Sequence, residues 1–192
     1  MKTLAKTILT ALAIFPAVAF AHEMEGGGGF ISGLSHPVLG FDHLLAMLSV
    51  GILSAQMGGK AIWTVPATFV VVMLFGGILG IKEIELISVE LGIAFSVFAL
   101  GIAITASKKL PVMLAMVFVG FFAVFHGHAH GAEMPYLAEP VFYALGFVVG
   151  TAGIHIAGVA IGLLTEKYKQ GHQLLRYLGA GIAGIGFHLL VM

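Results

Sequence analysis

The chain has 192 residues, of which 59% are hydrophobic and only 9% are charged, with a mean hydropathy of +1.08. A soluble domain carries about 25% charged residues, so this composition predicts a protein whose main solvent is lipid. The formal net charge is zero, and no basic excess exists to bind nucleic acid. The absence of cysteine excludes disulfides, thiolate metal sites and cysteine nucleophiles, whereas the nine histidines equal all Lys and Arg residues together.

The first residues have the form of a cleavable signal peptide. Lys2 and Lys6 precede an apolar run over 8–18, and residues 19–21 have the small-x-small pattern of a cleavage site. The apolar run is short for a membrane span. We therefore expect a signal peptide over 1–21 and a single transmembrane helical domain over 22–192, with an uncleaved first helix as the alternative.

Cleavage at this site would make His22 the first residue of the mature chain. Its α-amine and imidazole would then form a potential bidentate metal ligand. The alternative interpretation is a flexible tail that leads into the glycines at 26–29.

Six further apolar segments follow. They lie at about the length of ~20 residues that is needed to cross ~30 Å of hydrocarbon. Their hydrophobicity is continuous rather than alternating, and open sheet edges cannot lie in lipid. The predicted fold is therefore all-α, a polytopic membrane helical bundle with six transmembrane helices after a cleavable signal peptide. The predicted spans are 38–57, 61–81, 86–106, 110–127, 141–164 and 173–192.

Charge placement predicts the orientation of these spans. If the mature chain begins outside, the outside loops hold only Lys82 among the basic residues. The inside loops and helix ends hold Lys60, Lys108, Lys109, Lys167, Lys169 and Arg176. An excess of Lys and Arg marks the cytoplasmic side. We expect a multi-pass protein of the bacterial cytoplasmic membrane, with both mature termini extracytoplasmic.

The first polar cluster begins at His36 and reads HPVLGFDHLLAM. On a single helix that starts near Pro37, His36 and His43 would share a face, and Gly40 between them would leave room for an ion. Asp42 is the only aspartate, and a carboxylate in an apolar helix needs compensation. It is expected to be a metal ligand or the partner that orients His43. The alternative is an Asp–His hydrogen bond that caps or joins helices.

The second polar cluster begins at His126 and reads HGHAHGAE. If this segment is a regular helix, His126, His130 and Glu133 share one face and His128 points away. In the alternative interpretation, the intervening glycines loosen the helix and all three imidazoles turn inward. Neutral imidazole with carboxylate is a good ligand set for Ni²⁺, Co²⁺, Zn²⁺ or Cu²⁺, so a metal site is expected here. The alternative to a metal site is a solvated, histidine-rich loop. Both clusters are expected to face each other near the extracytoplasmic surface.

Other polar or soft side chains within the apolar segments are weaker candidates. Glu90 and His155 are candidate metal ligands, and His155 with His188 would continue a path inward; interhelical hydrogen bonding is the alternative for each. A copper-handling protein would use the methionines as soft ligands beside histidine, although methionine is common as packing in apolar helices. Those methionines are Met24, Met47 and Met134.

The two clusters together resemble the signature motifs of the HupE/UreJ family, small nickel or cobalt permeases associated with hydrogenase and urease operons. The resemblance covers essentially the whole chain. It implies Ni²⁺ or Co²⁺ as the transported substrate, no organic cofactor, and an indirect link to hydrogenase or urease maturation. By motif matching it points to His36, Asp42, His43, His126, His130 and Glu133, with His128 at a looser position.

A transport function fits the absence of a phosphate-binding GxxxxGK[ST] motif, so we expect a permease that does not hydrolyse ATP and is not an enzyme. Its expected partners are the divalent ion and the lipid bilayer, and the sequence leaves a homo-oligomer open. The alternative is a Zn-dependent intramembrane metalloenzyme, for which the sequence offers no obvious nucleophile or additional general base.

Overall fold

A computed structural model describes residues 29–108 and 110–192. The predicted signal peptide at 1–21, together with His22 and Met24, lies outside the described residues. The described part contains seven helices and no strand. The helices are α1 (Gly29–Leu39), α2 (Phe41–Met57), α3 (Ala61–Ile81), α4 (Val89–Ala106), α5 (Val112–Ala132), α6 (Pro140–Glu166) and α7 (Gly171–Val191).

Helix length and surface composition match a membrane protein. Among the described residues, five helices are long and apolar enough to cross a bilayer, and α1 and α2, which are bent by 81° at their break, pass the same test only when taken together. The 21 residues of α3 extend about 31 Å, close to the ~30 Å hydrocarbon core. Large apolar side chains such as Trp63, Phe75 and Phe121 are exposed on the outside of the bundle. The predicted all-α, multi-pass membrane fold is confirmed.

The first span differs from the predicted single helix over 38–57. Gly40, with φ −77° and ψ 106°, separates α1 from α2, because glycine readily leaves the helical conformation. Pro37 therefore lies near the carboxyl end of α1 and not in a first turn. The prediction that His36 and His43 share one helix face is wrong, since they lie on different helices. The other five predicted spans correspond to α3–α7, with ends shifted by a few residues.

Glycines bring α5 into backbone contact with α3, its main packing partner. A Cβ atom on Gly127 would overlap the carbonyl oxygen of Met73, and one on Gly131 would overlap that of Gly77. Small residues permit this close approach between membrane helices. The glycines therefore hold α5 against α3, and the alternative that they loosen the helix is wrong.

The connections alternate between two ends of the bundle. Those after α2, α4 and α6 meet at one end, where Gly58, Ser107 and Glu166 line the same cavity. The basic residues of the predicted inside loops belong to these connections and to the first turns of α7, so we call this the basic end. Both histidine clusters lie at the other end, which we call the histidine end.

The α3–α5 contact predicts different effects for two similar substitutions. Gly127→Ala places a Cβ against backbone that cannot rotate away, and overpacking of this kind costs about 1–3 kcal/mol. Gly184→Ala, at a position with open space around it, should leave the thermal stability unchanged or raise it slightly, because alanine favours helix. Thermal unfolding of both variants in detergent checks this, and equal stability of the two would contradict the packing.

Candidate functional site

Helix α5 presents two of its histidines to the interior. The helix continues to Ala132, beyond the predicted end at 127, so the whole second cluster up to that residue is helical. His126 and His130, one turn apart, are both completely buried. The ring of His128 points to another face, where Nε2 donates to the carbonyl oxygen of Ile84 at 2.8 Å. His128 thus lies apart from the other two, as the helical spacing predicted.

Helix α2 contributes His43, whose orientation is set by Asp42. The Oδ1 atom of Asp42 accepts from His43 Nδ1 at 2.9 Å and from the His43 backbone N–H at 2.8 Å. With its proton on Nδ1, the ring keeps a lone pair on Nε2, which is buried and has no partner among the described residues. Asp42 therefore acts on His43 as an orienting partner, one of the two roles expected for it.

Gly40 also shapes the position of His43. A Cβ atom at Gly40 would lie 3.2 Å from His43 Nδ1, closer than most contacts of real Cβ atoms. The glycine that breaks the first span therefore also makes room for the imidazole.

Helix α1 contributes His36 across the bend. Its Nε2 lies 3.1 Å from Oε2 of Glu133, the residue that follows α5. This contact joins the first helix to the end of the second cluster. Although the expected common helix face does not exist, the bend still places His36 beside His130.

The imidazoles form a continuous series, which we call the histidine row, in the order His36, His130, His43 and His126. The centroid of the His130 ring lies 4.8 Å from that of His36 and 4.7 Å from that of His43. The His43 and His126 centroids are 4.8 Å apart. The two clusters that the sequence predicted to face each other do lie together, at one end of the bundle.

The hydrogen bond between His126 and Ser96 leaves the Nδ1 atom of His126 without a partner among the described residues. Ser96 Oγ donates to the Ile93 carbonyl oxygen at 2.6 Å, so the hydroxyl accepts from His126 Nε2–H at 2.8 Å. The lone pair then lies on Nδ1, which is buried and unpartnered in the described part of the chain.

His130 has the least hydrogen bonding of the row. Its ring stacks on Phe147 with centroids 5.4 Å apart, and neither ring nitrogen has a partner within residues 29–108 and 110–192. Buried polar groups are nearly always hydrogen-bonded, and an unsatisfied one costs about 1–3 kcal/mol. Free nitrogen lone pairs on His43, His126 and His130 are therefore available to a ligand.

The row is not a preformed metal cage. In the part of the chain that the structure describes, no group of three or more His, Asp or Glu side chains is arranged to hold a metal ion. The rings follow one another in edge-to-face pairs. Coordination by three of them would require ring rotation.

The remaining candidates lie apart from the row. Glu90 is exposed in the first turn of α4, and His188 is exposed near the end of α7. His155 on α6 is buried, and both its ring nitrogens lack a partner among the residues described. The Phe69 ring packs against both His155 and His126, with centroid distances of 5.2 Å and 5.5 Å.

Sequence reasoning missed Ser96 and Phe69. Ser96 is a small hydroxyl residue within an apolar helix, which is a weak sequence signal. Phe69 is one of many aromatic residues in the apolar segments, and its sequence position does not distinguish it from ordinary packing. Of the methionines proposed for copper, Met47 lies in the hydrophobic core and Met134 packs against it.

Comparison with known proteins identifies the family of this chain. The model of the HupE / UreJ protein family matches residues 10–189. The chain belongs to the HupE/UreJ family. Protein HupE of Rhizobium leguminosarum bv. viciae is 42% identical over 186 residues, which cover 96% of each chain. No solved structure matches the chain.

Membership of the HupE/UreJ family establishes a coarse function. Its proteins are permease-like accessory transporters and not enzymes, and the family is linked to nickel and cobalt uptake. The expectation of a metal transporter is confirmed, and the intramembrane metalloenzyme is excluded by the family.

The Asp42–His43 hydrogen bond predicts that Asp42→Asn lowers metal uptake by about 10–100-fold, the usual loss when the partner of a metal-binding histidine is removed. Asparagine keeps the shape but lacks the charge that holds the proton on Nδ1. Initial rates of Ni²⁺ uptake measure this effect. Glu139→Gln is the control, because this exposed carboxylate only caps α6 by accepting from the Phe142 N–H, and glutamine can accept the same hydrogen bond. Equal rates for both variants would show that Asp42 does not orient the ring for binding.

Proposed function

We propose that this protein takes up Ni²⁺, and with it Co²⁺, across the bacterial cytoplasmic membrane through the histidine row, without nucleotide hydrolysis. The observation that carries the proposal is the row of imidazoles from three helices, because its three buried members, His43, His126 and His130, have nitrogen lone pairs that lack partners among the described residues. Neutral imidazole nitrogen is a good ligand for both ions.

The proposed orientation places the histidine end outside and the basic end in the cytoplasm. Its support is the concentration of Lys and Arg at the basic end. A signal peptide at 1–21 and a single domain over 22–192 agree with this orientation. Both mature termini would then be extracytoplasmic, and His22 would be placed to meet arriving ions.

Only the outer end of the row, at Glu133 and His36, is clearly exposed, which suggests the direction of entry. The side chains of Glu133 and His36 are 55% and 26% exposed, whereas His43 is 9% exposed and His126 is completely buried. An ion would meet the Glu133 carboxylate first, since negative charge raises the local cation concentration. It would then exchange hydration waters for imidazole nitrogens.

A wider cavity beside this entrance gives His128 a separate role. The cavity has a volume of about 610 Å³ and is lined by Glu83, Glu85 and His128. Two carboxylates and an imidazole at the histidine end suit loose capture of a cation before it reaches the row. His128 is therefore proposed as a capture residue, secondary to the row.

Binding in pairs suits transport better than a closed cage. A site that holds an ion too tightly cannot release it, and the edge-to-face rings offer successive partners. Beyond His126, the next proposed binding residue is His155, which is buried, contacts the Phe69 ring and has no hydrogen-bond partner among the described residues. Glu90, exposed on α4, has the least structural support as a ligand.

Because Cu²⁺ binds such ligands more tightly than Ni²⁺ or Co²⁺, the preference for nickel rests on the family.

Proteoliposomes that contain the purified protein test this proposal through uptake of labelled Ni²⁺ and Co²⁺. His130→Ala should lower the initial rate by at least about tenfold, because it removes the ring between His36 and His43. His128→Ala, two residues away on another helix face, is the matched variant and should retain most of the uptake. Competition by Zn²⁺ and Cu²⁺ measures selectivity. Uptake by His130→Ala at the wild-type rate would overturn the proposal.

Metal uptake should decrease as the pH falls through about 6.5, because protonated imidazole has no lone pair for a metal. The hydrogen bond from His36 lowers the pKa of Glu133 below its ordinary value of 4.5. This carboxylate therefore stays ionised, and the loss is expected from the imidazoles alone. Initial rates at a fixed membrane potential between about pH 7.5 and 5.5 measure it. A flat profile would contradict histidine capture.

A further inference from the structure

The basic end contains a second polar cavity that the proposed function does not use. It has a volume of about 240 Å³ and is formed where α2, α4, α6 and α7 end or begin. Its polar lining consists of Gln56, Ser107, Glu166 and His172, with Met57 beside them. The distance from His43 to Met57 along α2 is about 21 Å, so this cavity is separate from the histidine row.

Hydrogen bonds preorganise this lining. Ser107 Oγ lies 2.9 Å from His172 Nε2 and accepts from Gln56 Nε2 at 3.4 Å. Gln56 Nε2 also donates to the Ile104 carbonyl oxygen at 3.4 Å. The amide group is thereby oriented so that its Oε1 atom is buried with no partner in the described part of the chain. A buried carbonyl-type oxygen without a donor suits a cation.

The charge of the lining also favours a cation over an anion. Among the described residues that line the cavity, Glu166 carries the only full charge, and it is negative. The lysines of the basic end that the structure describes are not part of that lining; they are Lys60, Lys108, Lys167 and Lys169. An anion would meet a carboxylate and an unpaired amide oxygen inside the cavity, whereas a divalent cation would find both as ligands.

His172 supplies the nitrogen ligand. When the His172 Nε2–H donates to Ser107 Oγ, the lone pair of the ring lies on Nδ1. In His43 the arrangement is reversed, because Asp42 holds the proton on Nδ1 and the lone pair lies on Nε2. One imidazole, one carboxylate and one amide oxygen form a mixed nitrogen–oxygen set that first-row divalent ions accept. This set has fewer nitrogen ligands than the row, so it should bind the same ion more weakly.

We infer that this cavity is a second binding site for the transported divalent cation, from which the ion leaves at the basic end. The inference rests on the proposed function for the identity of the ion. Weaker binding here than in the row lets the ion move forward and dissociate. Gln56 Oε1, Glu166 and the His172 imidazole are its ligands, and Ser107 is a positioning residue.

Equilibrium dialysis of labelled Ni²⁺ against the purified full-length chain in detergent tests the second site. The row variant, with His43→Ala and His130→Ala, should still bind one Ni²⁺ per chain with lower affinity. Adding His172→Ala and Glu166→Gln to it should weaken that remaining binding by at least about tenfold. Adding His188→Ala instead, an exposed imidazole on the same helix, should have no effect. Because His172 and Glu166 are exposed, these substitutions should leave the gel-filtration profile unchanged.

The outcomes separate this inference from the proposed function. If the row variant binds no Ni²⁺, or if His172→Ala with Glu166→Gln leaves its binding unchanged, the second site is overturned while the row can still transport. If the row variant takes up Ni²⁺ at the wild-type rate, the proposed function fails. The effect of the His172 and Glu166 substitutions on binding would still test the cavity in that case.

Discussion

The backbone contact between α3 and α5 determines where the histidines lie. Carbonyl oxygens of α3 occupy the space that side chains at Gly127 and Gly131 would need, and these glycines directly follow His126 and His130. Because α5 is held against α3 on this face, His126 and His130 must point to the interior and His128 must point elsewhere. In each of two successive helical turns, the motif therefore places a candidate ligand, His126 or His130, next to a glycine that packs against α3.

Hydrogen bonding then determines which nitrogen of each ring faces its neighbours. Asp42 fixes the proton of His43 on Nδ1, and Ser96, whose own proton is donated to Ile93, fixes that of His126 on Nε2. Both rings keep a lone pair without a partner among the described residues. In a low-dielectric interior, lone pairs without a hydrogen-bond donor cost folding free energy. Coordination of an ion that has lost part of its hydration shell would compensate that cost.

The sequence predicted the membrane spans because continuous apolar segments of about 20 residues are typical of transmembrane helices. It also predicted that the two clusters lie together, since one begins a span and the other ends one. The break at Gly40 was not predicted, because α1 depends on contacts distant in sequence. A Cβ at Gly33 would overlap the Tyr143 carbonyl oxygen, and one at Gly146 would overlap that of Phe30. The α1 segment is glycine-rich and short, which is typical of a tail.

The ligand-bearing rings and their hydrogen-bonding partners thus form a path that leads from half-exposed Glu133 to the completely buried rings of His130 and His126. The central claim is that a transported ion is held between rings from different helices. Anomalous diffraction from crystals soaked in Ni²⁺ tests it most directly. The account predicts a peak among the rings of His43, His126 and His130. Crystals saturated with Ni²⁺ that show no peak at the row would contradict it.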